Sequence, residues 1–198
     1  NVSHIEVEGN AIRAQVGALL SKIAAEALQN GLTGFEFASG IPGTLGGAVV
    51  MNAGAYGGEM KDVLTEVTAL TQDGEVKVLK KEELDLGYRT SVVGKKGYIA
   101  LEAVVELQKG NPDEIKATMD DLKERRTTKQ PLEYPSAGST FKRPEGYFAG
   151  KLIQDTGLRG FSVGGAQISE KHCGFVINKD HATAKDVAEL MREVSDRV

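Results

Sequence analysis

Seven glycines crowd into the stretch from Gly40 to Glu59, and no other feature constrains the fold of this chain as tightly. The stretch reads Gly40-Ile41-Pro42-Gly43-Thr44-Leu45-Gly46-Gly47-Ala48, then Asn52-Ala53-Gly54-Ala55-Tyr56-Gly57-Gly58-Glu59. Pro42 fixes the turn between the first two glycines. Glycine admits positive φ and lets a ligand approach bare N–H groups. Successive N–H groups in such turns form anion-binding nests, and a helix starting near Thr44 would aim its positive end the same way. A nucleotide diphosphate is the natural guest, and a glycine-rich packing turn is the plain alternative. No Gly-x-Gly-x-x-Gly dinucleotide fingerprint occurs. Gly150-Lys151 has the ending of a phosphate loop, but Leu152 stands where magnesium needs Ser or Thr.

The chain has 198 residues, enough for one large domain or two small ones. Its 24 basic and 28 acidic residues leave a net charge of −4, which argues against a general nucleic-acid binder. A single cysteine, Cys173, excludes an internal disulfide and fits a reducing, cytoplasmic compartment. No apolar run reaches membrane-spanning length, so no membrane partner is expected. His4, His172 and His181 have no ligand spacing with Cys173, so no metal site is expected. The chain opens on Asn1 and runs almost at once into a strand-like segment, as a piece of a longer protein would.

Ile5 to Glu8 alternates as a strand. Val16, Leu19, Leu20, Ile23 and Ala27 recur at helical spacing, with Asn30-Gly31 as C-cap. Thr44 to Met51 reads as a short helix. Val67 to Thr71 and Val76 to Leu79 flank Asp73-Gly74, a hairpin signal. Tyr98 to Leu107 reads as a strand. Asn111-Pro112-Asp113-Glu114 places Asn at N-cap, Pro at N1 and Glu at N3 of a helix whose apolar face is Ile115, Met119 and Leu122. The second half holds a helix near Tyr147 to Thr156, a strand at Gly174 to Asn178 and a last helix from Thr183. A boundary near Lys109 to Asn111 gives domains of residues 1–109 and 110–198. Both mix helices and strands, so the class is α+β.

Several motifs carry a family resemblance. The Gly40–Tyr56 segment, Tyr88-Arg89-Thr90-Ser91, Arg126-Thr127-Thr128-Lys129-Gln130-Pro131 and Ala137-Gly138-Ser139-Thr140-Phe141-Lys142-Arg143-Pro144 resemble the UDP-N-acetylenolpyruvoylglucosamine reductase family. So do Gly150-Lys151-Leu152-Ile153-Gln154 and Lys171-His172-Cys173-Gly174-Phe175. The resemblance implies FAD as cofactor and NADPH as co-substrate, in reduction of an enolpyruvyl UDP-amino sugar to UDP-N-acetylmuramate for peptidoglycan. It implies the second lobe of a two-lobed FAD-binding domain followed by an α+β substrate-binding domain. The short link from Gln108 to Asn111 resembles the family's compact subtype. The first FAD lobe would precede Asn1, and the family's catalytic glutamate would follow Val198. Glu189 and Glu193 do not match that motif. Residues 1–198 alone are accordingly expected not to turn over.

By the same resemblance Arg89 supports the enolate and carboxylate of the substrate, work that suits a permanently charged planar fork. Ser139 is the implied proton donor. No Ser-His-Asp pattern surrounds it, so hydrolysis is not suggested. The implied FAD contacts are Ile41, Pro42, Gly43, Gly46, Gly47, Val50, Gly54, Tyr56 and Arg126. Lys129 is implied at the substrate diphosphate, and Arg143, Tyr147, Arg159 and His172 around the UDP-sugar. Each has a plain alternative: a turn serine, a charged helix end, a hydrogen-bonded structural histidine, a core tyrosine. Two other functions stay open. One is a flavin oxidase of the same FAD-domain superfamily, against which the Tyr88-Arg89 and Gly138–Phe141 segments argue. The other is a nucleotide-sugar-binding fragment without catalysis.

Overall fold

The computed structural model describes residues 2–198, apart from the side chain of residue 137, and the chain divides into two compact units, Asn1–Glu124 and Arg125–Val198. Each unit mixes strands with helices, as the α+β class requires.

In the first unit β1 (Ile5–Glu8) and β2 (Ala11–Gln15) form a hairpin around Gly9, whose φ of 63° only glycine takes freely. Val16 does not open the helix that its spacing suggests. It follows β2, and α1 covers Leu20–Gln29, because pairing with β1 claims the chain up to Ala14 and pairing with Glu102 claims Gln15. Asn30 ends α1 and Gly31 follows at a φ of 62°, the expected C-cap. Next come β3 (Leu32–Thr33), α2 (Leu45–Val50), a small hairpin of β4 (Gly54–Ala55) and β5 (Gly58–Glu59), and one turn of helix, α3 (Met60–Val63). Strands β6 (Leu64–Leu70) and β7 (Val76–Lys80) meet around Gly74 as Asp73-Gly74 predicts. After α4 (Val92–Lys95), β8 (Ile99–Glu106) enters the middle of an antiparallel sheet of order β1-β2-β8-β6-β7, and β9 (Gln108–Lys109) pairs with β3.

One face of this sheet is the core. Ile12 and Ala14 of β2, Leu64, Val67 and Ala69 of β6, and Ala103 and Val105 of β8 are buried in one cluster with Leu20 and Ile23 of α1 and Leu45 and Val49 of α2. Burying each large aliphatic chain contributes about 1.5–3 kcal/mol. The inward set of β6 steps from Leu64 to Val67 because the β6–β8 register shifts between Leu64 and Glu66. A second shift lies between Thr68 and Ala69. The other face is charged. Arg13 reaches Glu102 at 2.7 Å and Glu66 at 3.8 Å, which holds its pKa above the ordinary arginine value, chiefly through the Glu102 hydrogen bond. Such exposed pairs stabilise by roughly 0–1 kcal/mol.

Helix α5 (Pro112–Lys129) starts where Asn111-Pro112 predicts, with the Asp113 amide donating to Asn111 Oδ1 at 2.9 Å. The division between units falls within α5, after Glu124, and not ahead of it. Ile115 is buried and Met119 packs on the core of the first unit, so the early turns of α5 belong there.

The second unit carries β10 (Ser136–Ser139), α6 (Ala149–Asp155), β11 (Ser162–Val163), β12 (Ala166–Ile168), β13 (Phe175–Asn178) and α7 (Ala184–Arg197). Its antiparallel sheet runs β10-β13-β12-β11, and Ile153 of α6 and Leu190 and Val194 of α7 share a core with Ala166, Ile168 and Val176. Thr183 caps α7: its Oγ1 accepts the Asp186 amide at 3.2 Å, and Asp186 accepts the Thr183 amide at 2.8 Å. Among the described residues no helix is long and apolar enough to cross a membrane.

Candidate functional site

The glycine-rich segment is fastened by its backbone. The Leu20 amide donates to Gly43 O at 3.1 Å, the Leu45 amide to Ala18 O at 2.9 Å and the Gly46 amide to Val16 O at 2.9 Å. The first two amides of α2 are therefore spent on the protein and do not form the open anion nest that the sequence suggests. The Gly43 and Gly47 amides have no hydrogen-bond partner among the described residues. A Cβ added at either residue would meet nothing within 4 Å, whereas one at Gly46 would stand 3.0 Å from Val16 Cβ. The glycines thus divide into two kinds. Gly46 is bare because Val16 is there; Gly43 and Gly47 are bare and face open space. Pro42 is exposed beside them, while Ile41 and Val50 pack partly buried against the core.

Two more glycines close the segment. A Cβ on Gly54 would lie 2.6 Å from Gly58 O, and one on Gly58 would lie 2.7 Å from the Phe37 ring. This close packing holds the β4–β5 hairpin flat on the unit. Tyr56, at its turn, takes a φ of 54° and is 43 % exposed, so it is not a core tyrosine.

Arg89 lies opposite this segment in the same unit. It occupies a tight turn in which the Gly87 and Thr90 amides donate to each other's carbonyls at 3.1 and 3.3 Å. Its φ is 54°, a left-handed conformation costly for a residue with a Cβ. The guanidinium donates to Asn52 O at 3.2 Å and Gly54 O at 2.9 Å, and stands 5.0 Å from the centre of the Tyr88 ring. Backbone carbonyls fix its direction without neutralising its charge. The turn is also held from below: Ser91 is fully buried, and its Oγ donates to Val50 O at 2.9 Å.

In the second unit Ser139 ends β10, opposite Phe175 of β13, and is exposed. Beside it the His172 ring stands edge-on to Phe175 at 4.9 Å, and His172 Nδ1 accepts the Gly174 amide at 3.1 Å. That bond places the ring proton of neutral His172 on Nε2. A Cβ on Gly174 would lie 3.2 Å from His172 Nδ1 and 3.4 Å from Ser139 Oγ. The bare Cα of Gly174 therefore leaves room for the imidazole and the hydroxyl to approach the same point. Gly150 of α6 comes close for the same reason, since its Cβ would meet Gly174 N at 3.1 Å.

The other expected contacts are more dispersed. Arg143 Nε donates to Tyr147 O at 3.2 Å and its guanidinium covers the Phe148 ring at 3.9 Å, leaving both aromatic rings largely exposed. Arg159 donates to Gln154 Oε1 at 2.7 Å and to Glu170 O. Arg126 donates to Gln130 Oε1 at 3.2 Å, and Lys129 is the exposed last residue of α5. Cys173 is buried, and burial pushes its thiol above the ordinary cysteine range. Sequence reasoning overlooked Asn52, Gly150 and Gly174. Asn52 could have been found as a polar residue directly after an apolar helix. The two glycines each lie inside a quoted motif, but only the fold shows that they touch.

Comparison with known proteins gives this geometry a class. The family model for the FAD binding domain matches residues 1–80, and that for the UDP-N-acetylenolpyruvoylglucosamine reductase C-terminal domain matches residues 130–198. A flavoprotein domain followed by a reductase domain is the class that fold and site define. The UDP-N-acetylenolpyruvoylglucosamine reductase of Clostridium perfringens is 60 % identical over 197 residues, and that of Agathobacter rectalis 63 % over 187. The crystal structure of the same reductase (MurB) from Thermus caldophilus is 38 % identical, with a TM-score of 0.89 over 100 % of this chain and 71 % of that one. The chain belongs to the UDP-N-acetylenolpyruvoylglucosamine reductase family. It spans 65 % of the Clostridium relative and 60 % of the Agathobacter relative.

Proposed function

We propose that the protein carrying this chain is a cytoplasmic, FAD-dependent and NADPH-driven reductase. It converts the enolpyruvyl ether of UDP-N-acetylglucosamine to UDP-N-acetylmuramate, a precursor of the peptidoglycan that sets cell shape and permits division. When bound and reduced by NADPH, FAD would supply the hydride that the β-carbon of the enolpyruvyl group needs. Negative charge then collects on the carboxylate side of the substrate, as an enolate. Arg89 faces that charge with a guanidinium already aimed by two carbonyls, so little reorganisation is needed as it develops. Ser139 Oγ gives its proton to the α-carbon, which completes the addition of two hydrogens across the double bond.

Gly43 and Gly47 suit a diphosphate, because they combine unbonded amides with open space above each Cα. In the second unit Lys129, Arg143, Tyr147, Arg159 and His172 supply cations, an aromatic face and an imidazole N–H of the kind that a nucleotide-sugar needs.

The observation that carries this reading is Arg89: a left-handed backbone of this cost persists where its surroundings fix it, typically at working sites. The test is Ser139→Ala in the full-length protein, followed by stopped flow. Flavin reduction by NADPH should be kept, and reoxidation by the enolpyruvyl substrate should slow roughly 10²- to 10⁴-fold. Equal losses in both half-reactions would count against a proton donor at Ser139.

A further inference from the structure

Among the described residues of the first unit, Asn52 is the one asparagine that is completely buried, and its φ is 40°. Its side chain uses both ends. Oδ1 accepts the Lys61 amide at 2.9 Å; Nδ2 donates to Gly87 O at 2.9 Å and to Glu59 Oε2 at 3.3 Å. Its backbone carbonyl receives Arg89 Nη1 at 3.2 Å. One residue thus grips the turn that carries Arg89 at its base, through Gly87, and the guanidinium at its tip.

We propose that Asn52 is a positioning residue that sets the direction of the Arg89 guanidinium; the role given to Arg89 itself rests on the function proposed above. The residue type follows from the geometry. Only glycine, asparagine and aspartate enter the left-handed region readily. Glycine offers no side chain to hold Gly87 O. Aspartate has no donor for Gly87 O and would set a second carboxylate against Glu59. Asparagine alone gives an acceptor for the Lys61 amide, a donor for Gly87 O and a tolerated φ together. Through Lys61 and Glu59 it also ties the turn to the β5–α3 junction, where Glu59 pairs with Lys61 at 2.8 Å. The direction of Arg89 is therefore registered to the same hairpin that supplies its second carbonyl, Gly54 O.

The experiment uses the full-length protein with Asn52→Gly, Arg89→Ala and the double variant. Asn52→Gly keeps the backbone conformation and removes all three side-chain bonds. Amide hydrogen exchange across Gly87–Ser91 and the Nε signal of ¹⁵N-labelled Arg89 are read without substrate. The expected result is faster exchange and a sharper, faster-rotating Arg89 signal in Asn52→Gly, with the rest of the unit unchanged. Stopped flow should show reoxidation by substrate slowed up to about 100-fold, the scale of an ångström-sized misplacement. The double variant should be no slower than Arg89→Ala, because the influence of Asn52 passes through Arg89. Unchanged exchange and an unchanged Arg89 signal would overturn the proposal, as would losses that multiply in the double variant. Should Asn52→Gly fail to fold, Asn52→Asp measured the same way replaces it, losing the donor and keeping the acceptor. If Arg89→Ala leaves reoxidation at full speed, the catalytic reading of Arg89 fails, while the exchange data still decide whether Asn52 aims it.

Discussion

Replacing Gly47 by alanine should make the folded chain more stable and make it a poorer flavin binder. Gly47 lies inside α2, and a Cβ there meets nothing within 4 Å. Removing backbone freedom from the unfolded chain at a helical glycine gains about 0.5–1 kcal/mol. On the function proposed above, the same methyl group would stand in the open space from which a phosphate would approach the Gly47 amide. Losing one hydrogen bond to a charged group costs about 1.5–3 kcal/mol, which is roughly 10- to 150-fold in Kd. Gly46, its neighbour, reverses the pattern. Its Cβ would press on Val16 Cβ at 3.0 Å, and such overpacking costs about 1–3 kcal/mol, of which the helix gain offsets up to about 1. Gly46→Ala should therefore lose up to about 2 kcal/mol of stability. Urea unfolding of the apo full-length protein gives the stabilities, and flavin-fluorescence titration gives the affinities. A Gly47→Ala protein that binds FAD as tightly as the parent would refute the division of the glycines into packing and ligand-facing kinds.

Two further outcomes follow from individual side chains. The Cys173 thiol, raised by burial, should react with a disulfide reagent at pH 8 far more slowly than in urea-unfolded protein; equal rates would mean that it is open to solvent. Asp186 is held below the ordinary carboxylate range, first by the Thr183 backbone N–H donating to it. A depressed folded pKa stabilises above the unfolded value of about 3.9, and that contribution fades as pH falls through the folded pKa. Acid titration from neutral pH should then show the first turn of α7 loosening below about pH 4 in the parent and without that step in Asp186→Asn. The same acid slope in both would remove Asp186 from the account.

Much of the fold was legible where local chemistry and tertiary structure agree. Asp73-Gly74 specified the β6–β7 turn, Asn111-Pro112 the start of α5, and Thr183 the start of α7. Strand β2 was not, because its inward residues are only Ile12 and Ala14, and Ala14 is too small to mark an alternation. Strands β11 and β12 cover two and three residues, too few to show any period. The compact units divide within α5 and not at its start, because a helix start is visible in sequence and the surface on which that helix packs is not. Within the candidate site, Gly40–Gly58 and Tyr88–Ser91 stood out as motifs. The left-handed turn at Arg89 did not, since positive φ at arginine has no compositional signal. Nor did Asn52, whose meaning depends on a carbonyl 35 residues away.

The two register shifts between β6 and β8 leave opposite surpluses. Leu64 pairs with Val105 and Glu66 with Val104, so Thr65 is extra on β6; Thr68 pairs with Glu102 and Ala69 with Ala100, so Leu101 is extra on β8. The surplus residue Leu101 turns its carbonyl out of the β6 ladder to accept the Val16 amide at 3.1 Å, and Val16 O in turn accepts the Gly46 amide. Main-chain hydrogen bonds thus wire the sheet to the glycine-rich segment, beside the core packing of Leu45 and Val49. The main-chain link asks nothing of the side chain at position 101, whereas the Val16 side chain also fills the space beside Gly46. What severs it is proline at 16 or 46, which removes a donor, or loss of one codon at 101. Tolerance at position 101 is therefore wide for substitution and narrow for changes in length.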